Sequence, residues 1–282
     1  MFVSAFFFCL MTIFVKIASA EFETIQIFFM RGVITLLITY YFLKRKKISI
    51  WGQNKKILIA RGLVGSVALF LVYESLNRLS LAQATVIQYL YPIFIAILAS
   101  FLLKENVNKK IILSGLFGLV GVFWILNFPF INSEAVLDVG SIGIAVLGSI
   151  LTALAYVLVR MASTYNESPY VIMFYFPLFT VIMSIPFIYQ SWNGPTLYYW
   201  IVLIIIGLCT QLGQWFLTFG YKLLPASKVA PISYVQVPFA VISGFLFFGE
   251  DIYLNFIIGS VLIFIGIYVL INNKPKLAIS DV

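Results

Sequence analysis

Apolar stretches of about twenty residues recur ten times along the chain, with little between one and the next. A helix of that length, at roughly 1.5 Å per residue, crosses the roughly 30 Å of hydrocarbon in a bilayer. The stretches fall at about 2 to 20, 24 to 43, 57 to 77, 80 to 103, 110 to 127, 140 to 161, 169 to 190, 198 to 220, 228 to 248 and 253 to 272. Only 10% of the 282 residues are charged and 62% are apolar, whereas a soluble domain carries roughly 25% charged residues. An all-α integral membrane protein of ten transmembrane helices is expected. The connecting loops are too short to hold a soluble domain, so function must sit among the helices.

The chain also repeats itself. VKIASAEFET at 15–24 is matched by VRMASTYNES at 159–168, at the same residue in Val, Ala, Ser and Glu and with Arg160 in place of Lys16. LNRLSLAQA at 76–84 corresponds to GYKLLPASK at 220–228, FLLKENV at 101–107 to LFFGEDI at 246–252, and Gly115 to Gly259. These pairs divide the chain into a five-span unit at 1–127, an outer connecting loop at 128–139, a second five-span unit at 140–273 and a tail at 274–282. Five is odd, so the second unit enters the membrane upside down relative to the first, the inverted-repeat plan of many secondary transporters. Glu105 then falls on the inner side and its counterpart Glu250 on the outer. The repeat also bears on Ala18-Ser19-Ala20, which resembles a signal-peptidase site. No charge precedes it within residues 1–10, and a secretion signal has no reason to recur in mid-chain, so the first span is expected to be retained.

The net charge of +8 reads as topology. With the amino terminus in the cytoplasm, every Lys and Arg except Lys16, Arg31 and Arg78 lies on the inner side, as the positive-inside bias requires. Both termini are therefore expected in the cytoplasm, with a lipid bilayer and no nucleic acid as the macromolecular surroundings. Histidine is absent, and Cys9 and Cys209 are the only cysteines. That removes imidazole metal ligands and the Ser-His-Asp relay, and makes packing the expected role of both thiols. No GxxxxGK[ST] loop is present, so neither ATP use nor a metal or other cofactor is expected.

The paired segments LSLAQATVIQYLYPIFIAILASFLLKENV and LPASKVAPISYVQVPFAVISGFLFFGEDI, each followed by a glycine-bearing last span, resemble the two EamA-type repeats of the drug/metabolite transporter superfamily. The resemblance covers essentially the whole chain. Lys104 departs from it, since the family more often has glycine before the glutamate; Gly249 before Glu250 conforms. The wording VAPISYVQ together with Arg31 is most similar to the branch that includes S-adenosylmethionine uptake carriers. The resemblance implies an alternating-access carrier of the bacterial inner membrane.

Several in-span residues are candidates for contacting a solute. Pro92 in the fourth span, and Pro231 and Pro238 in the ninth, each remove a helix hydrogen bond and free the carbonyl four residues earlier, at Gln88, Ser227 and Tyr234. These prolines are candidate hinges, with Gln88, Tyr91, Tyr234 and Gln236 beside them; the alternative is a kink re-satisfied by neighbouring helices. Gln211, Gln214, Trp215 and Thr218 share one face of the eighth span and are read as cavity lining, the alternative being hydrogen-bonded glue between helices. Thr12, Lys16 and Ser19 form a stripe on the first span, and Thr152, Tyr156, Arg160 and Ser163 one on the sixth. Lys16, Arg31 and Glu74 reach the outer leaflet, where charges should pair, bind substrate or line water; an Arg31–Glu74 ion pair and a snorkelling Lys16 are the plainer readings. Glu74 is the acid best placed to carry a proton. Arg61 and Arg160 are read as anchors at the inner interface. Gly62 and Gly65, and Gly115, Gly118 and Gly121, are read as close-packing faces.

The expected function is transport of a small organic metabolite by alternating access, driven by a proton or a counter-substrate. S-adenosylmethionine, a flavin and an amino acid all suit a set of basic groups, one acid and aromatic rings. The residues also leave open a membrane-embedded transferase, although such chemistry ordinarily needs clustered acids or a nucleophile with its base, and Glu105, Glu167 and Asp281 are widely separated.

Overall fold

A computed structural model of the chain describes residues 1–128, 138–249 and 251–272. Most of the expected outer connecting loop, Glu250, and the tail at 274–282 lie outside the described residues. The first half comprises α1 (Phe2–Ala18), α2 (Thr24–Arg45), α3 (Lys55–Arg78), α4 (Leu81–Gln88), α5 (Tyr91–Leu103) and α6 (Lys109–Ile125). The second comprises α7 (Val139–Thr164), α8 (Pro169–Ser191), α9 (Leu197–Leu223), α10 (Ala226–Val229), a 3-10 turn at Ala230–Val235, α11 (Gln236–Phe248) and α12 (Leu254–Ile271). The fold is all-helical, with no strand among the described residues. Eight segments are long and apolar enough to cross a membrane; α1 and α6, at 17 residues each, are shorter.

Local sequence explains where these helices start, break and stop. Ser80 opens α4 with a capping box, its hydroxyl accepting from the Gln83 amide while Gln83 Oε1 accepts from the Ser80 amide. The fourth apolar stretch then breaks after Gln88, because Pro92 has no amide hydrogen to return to the Gln88 carbonyl. Ser149 on α7 supplies the missing donor, its hydroxyl lying 3.1 Å from the Gln88 carbonyl oxygen. The ninth stretch breaks in the same way around Pro231, where the helix tightens into the 3-10 turn. Lys104 ends α5 in the left-handed conformation (φ 52°), and Gly249 ends α11 likewise (φ 66°). Asn108 caps α6 through the Ile111 amide, and Asp138 caps α7 through the amides of Gly140 and Ser141. The Ser141 hydroxyl and these amides hold the Asp138 carboxyl below the usual carboxylate range.

Four helix pairs make the most extensive contacts: α3 with α7, α1 with α9, α2 with α8, and α6 with α12. The α6–α12 pair is close because Gly121 and Gly259 face each other; a Cβ on Gly121 would stand 2.6 Å from the Gly259 carbonyl oxygen. At the helix ends, two polar side chains buried from solvent join the halves. Gln26 at the start of α2 exchanges two hydrogen bonds with the Asn193 backbone ahead of α9. Glu167 ahead of α8 accepts from the amides of Gln53 and Asn54, just before α3. The Glu167 device satisfies an amide at the start of α3.

Candidate functional site

Along one face of α9, Gln211, Gln214, Thr218 and Tyr221 recur at intervals of three and four residues, which places them on a single line about 15 Å long. All four are buried. Gln211 Oε1 accepts from the Thr39 hydroxyl at 3.2 Å, but Gln211 Nε2, Gln214 Nε2, Thr218 Oγ1 and Tyr221 Oη have no hydrogen-bond partner among the described residues. A buried donor or acceptor left without a partner costs about 1–3 kcal/mol. The four atoms form one continuous polar seam along the buried face of α9.

Arg31 stands at one end of this seam. It is 7% exposed and lines a narrow cleft between α2, α8 and α9 with Thr35, Thr180, Thr210, Gln211 and Gln214. The cleft has about 10 Å³ of free volume, room for about one water molecule. The Arg31 guanidinium rests 5.6 Å from the Phe28 ring centre, and its Nη1 points to Met11 Sδ at 3.6 Å, a weak acceptor.

Arg61 lies toward the other end. It sits six residues into α3, about 9 Å along the axis, and is only 2% exposed. Phe176 of α8 covers one face of its guanidinium, 4.7 Å from ring centre to Cζ. Gly65 leaves the space into which Nη1 extends, since a Cβ there would collide with it. Nε and Nη1 have no hydrogen-bond partner, and Arg61 forms no ion pair among the described residues. Tyr156 of α7 and Tyr221 of α9 lie within electrostatic range of it, and Tyr156 is also within range of Arg31.

Beyond Arg61 a chain of tyrosines runs to the two helix breaks. Tyr221 stacks on Tyr156, Tyr156 meets Tyr91 edge-on, and Tyr89 lies between Tyr91 and Tyr234 with ring centres 6.0 and 5.8 Å away. The Tyr234 hydroxyl donates to the Tyr89 carbonyl at 3.0 Å, so one break is tied to the other. At the Tyr221 end the seam is closed by Glu105. Its carboxylate accepts from the Ala226 amide (2.9 Å), the Ser227 amide (3.0 Å) and the Ser227 hydroxyl (2.8 Å), and pairs with Arg160 at 3.5 Å. Arg160 in turn donates to the carbonyls of Tyr221 and Lys222.

The structure brings together Arg31, Gln211 and Gln214 at the cleft, and Tyr91, Tyr156 and Tyr234 in the aromatic chain. Gln88 lies beside them, its amide donating to Thr152 at 3.2 Å. Gln236 begins α11, partly buried, next to the 3-10 turn. Pro92, Pro231 and Pro238 are buried at or near the breaks. Three candidates stand apart. Lys16 is exposed on α1 with its ammonium 4.1 Å from the Phe248 ring centre. Glu74 pairs with Arg78, one turn along the same helix, at 2.7 Å, so the alternative of an Arg31–Glu74 pair is not what forms. The nearer partner wins because residues four apart on a helix already face each other. Trp215, beside the seam, packs among Phe42, Tyr170 and Phe219.

Arg61, read as an anchor at the inner interface, is instead buried in the bundle, and Arg160, read likewise, is partly exposed and held by Glu105. Depth along the helix places Arg61 near an interface, but the direction of its face sends it inward. A signal existed, since Arg61, Gly65 and Ala68 share one face with the glycines read as packing surface. Tyr221 was missed although it continues the α9 stripe by one more turn.

The EamA-like transporter family matches residues 1–127 and 140–272, and the chain belongs to that family. It is an integral membrane protein and a membrane transporter of the drug/metabolite transporter superfamily. The chain is 28% identical over 272 residues to the pseudopaline exporter CntI of Pseudomonas aeruginosa, covering 96% of this chain and 94% of that protein. It is 30% identical to an uncharacterized transporter of Helicobacter pylori, covering 86% and 83%. It is also 25% identical to an S-adenosylmethionine uptake transporter of Rickettsia bellii, covering 83% and 77%. A solved crystal structure superposes with a TM-score of 0.82 at 15% identity, covering 95% of this chain and 93% of the other; at that identity the likeness speaks for the fold alone.

Proposed function

We propose that this chain is a secondary transporter that carries a small organic metabolite across the bacterial inner membrane by alternating access, with no enzymatic step. In this reading α1 and α6 also cross, giving ten spans in two inverted five-helix repeats, 1–127 and 140–273, with both termini in the cytoplasm. The helix pairing supports that arrangement. If α1 corresponds to α7 and α3 to α9, the α1–α9 and α7–α3 pairs are images of each other. The α2–α8 and α6–α12 pairs then straddle the axis that relates the halves.

The observation that carries the transport reading is the seam of unpartnered polar atoms from Gln211 to Tyr221. A passing solute and its water satisfy these groups in turn, while helices α4/α5 and α10/α11 flex at Pro92, Pro231 and Pro238. Gln88, Tyr91, Tyr156, Gln211, Gln214, Tyr234 and Gln236, with Arg31, line the path. Lys16, Glu74 and Trp215 are peripheral to it. The tyrosine rings offer faces to a cationic or planar group, which supports a metabolite bearing an amino-acid moiety, S-adenosylmethionine among them. The cycle runs by exchange with a counter-substrate or by proton coupling.

The test is counterflow in proteoliposomes with labelled S-adenosylmethionine, amino acids and riboflavin. Exchange of at least one solute, lost when Gln214 is replaced by leucine, is expected. Absence of exchange of every solute by folded protein contradicts the reading.

A further inference from the structure

Two guanidinium groups lie inside the bundle, and none of the described carboxylates faces them. Each described acid is engaged elsewhere or at an exposed helix end. Glu105 is held by Arg160 and α10, Glu167 by the start of α3, Glu74 by Arg78 and Asp138 by the start of α7; Glu21, Glu23 and Asp251 are exposed. Arg61 is the more extreme of the two arginines, because Nε and Nη1 are buried without any acceptor. A charge taken from water without a partner is strongly unfavourable, so such a group is retained where a partner arrives.

We propose that Arg61 is the binding group for the carboxylate of the transported solute, with the hydroxyls of Tyr156 and Tyr221 completing the site. This deepens the carrier reading above and rests on it. The chemistry of the surroundings selects the anion. Phe176 lies over one face of the guanidinium and leaves its in-plane N–H donors to a planar acceptor, which is the geometry of an arginine–carboxylate pair. A monocarboxylate, or a zwitterion such as an amino acid, presents the planar acceptor that those in-plane donors fit.

The unpaired charge also makes the empty carrier less stable than it need be, which provides a readout independent of transport. With purified protein in nanodiscs, Arg61→Met is expected to raise the melting temperature by roughly 2–4 °C or more, because it removes a buried charge that nothing balances. A lower melting temperature would mean that Arg61 is held by the protein itself, and would overturn the proposal. Thermal stabilisation is then measured with L-methionine and S-adenosylmethionine, each compared with its carboxamide. Wild-type protein should be stabilised by at least one acid and much less by its amide. Arg61→Lys should weaken that acid about 10- to 100-fold, the value of a charged hydrogen bond, and Arg61→Met should abolish the difference between acid and amide. An acid preference that survives in Arg61→Met, or no stabilisation of wild type by either acid, overturns the proposal. The counterflow assay separates this failure from that of the carrier reading: exchange indifferent to the carboxylate leaves a carrier without an Arg61 site, whereas no exchange of any solute removes the carrier.

Discussion

Tyr234 shows how one side chain can join two helix breaks. Its ring lies beside Tyr89 and fills the space left by Gly118, where a Cβ would strike it. Its hydroxyl is bonded to the Tyr89 carbonyl. Tyr234→Phe keeps the ring and removes only that bond, so chemical denaturation in detergent should show a loss of about 1 kcal/mol, with the fold retained. A loss near zero would mean that water replaces the hydroxyl without cost. At this scale the sequence was informative where a residue type is unusual for its setting. Gln211 and Gln214 stand out in an apolar helix, and Pro92 announces a freed carbonyl. The sequence did not reveal that Ser149 answers that carbonyl, because the donor comes from α7, some sixty residues away. Arg61 was misplaced for a related reason: counting residues gives depth in the membrane, but only packing against Phe176 and over Gly65 gives direction.

Among the elements, the two broken helices end alike but with different residues. Lys104 and Gly249 occupy the same left-handed position, which strains a side-chain-bearing residue by roughly 1–2 kcal/mol and glycine very little. Lys104→Gly should therefore raise the unfolding free energy by about 1 kcal/mol; a decrease would show that the lysine side chain makes a contact worth more than the strain. This departure from the EamA pattern was visible in the sequence, and the backbone supplies its physical meaning. Next to it, Glu105 joins the end of α5 to the start of α10 and to Arg160 on α7. Removing one partner from a largely buried charged network is expected to cost about 3 kcal/mol, so Glu105→Ala should be markedly less stable to denaturant, whereas Glu105→Gln, which keeps one acceptor oxygen for the two amides that now reach separate carboxylate oxygens, should lose less. Equal stability of Glu105→Ala and wild type would mean that this closure does not hold the resting state. Nothing in the residue spacing indicated this network, since Glu105 and Ser227 are over a hundred residues apart.

For the whole molecule, hydropathy alone made the helical architecture legible, because a segment in lipid must satisfy its own backbone and so becomes a helix wherever it is apolar and long enough. The prolines at Pro92 and Pro231 then marked the two helix breaks. The site was only half legible. Its α9 and α2 components could be read as polar stripes, but the meeting of α3, α7, α8 and α9 around Arg61 is a product of tertiary packing. The proposed carrier is a bundle whose polar seam becomes reachable from one side of the membrane and then from the other. The most direct test is the accessibility of Thr218, wholly buried in the middle of that seam. A Thr218→Cys variant, in a chain with Cys9 and Cys209 replaced by alanine, is exposed in sealed vesicles to a membrane-impermeant maleimide from each face separately. Alternating access predicts labelling from both faces; labelling of the folded protein from one face alone, or from neither, contradicts it.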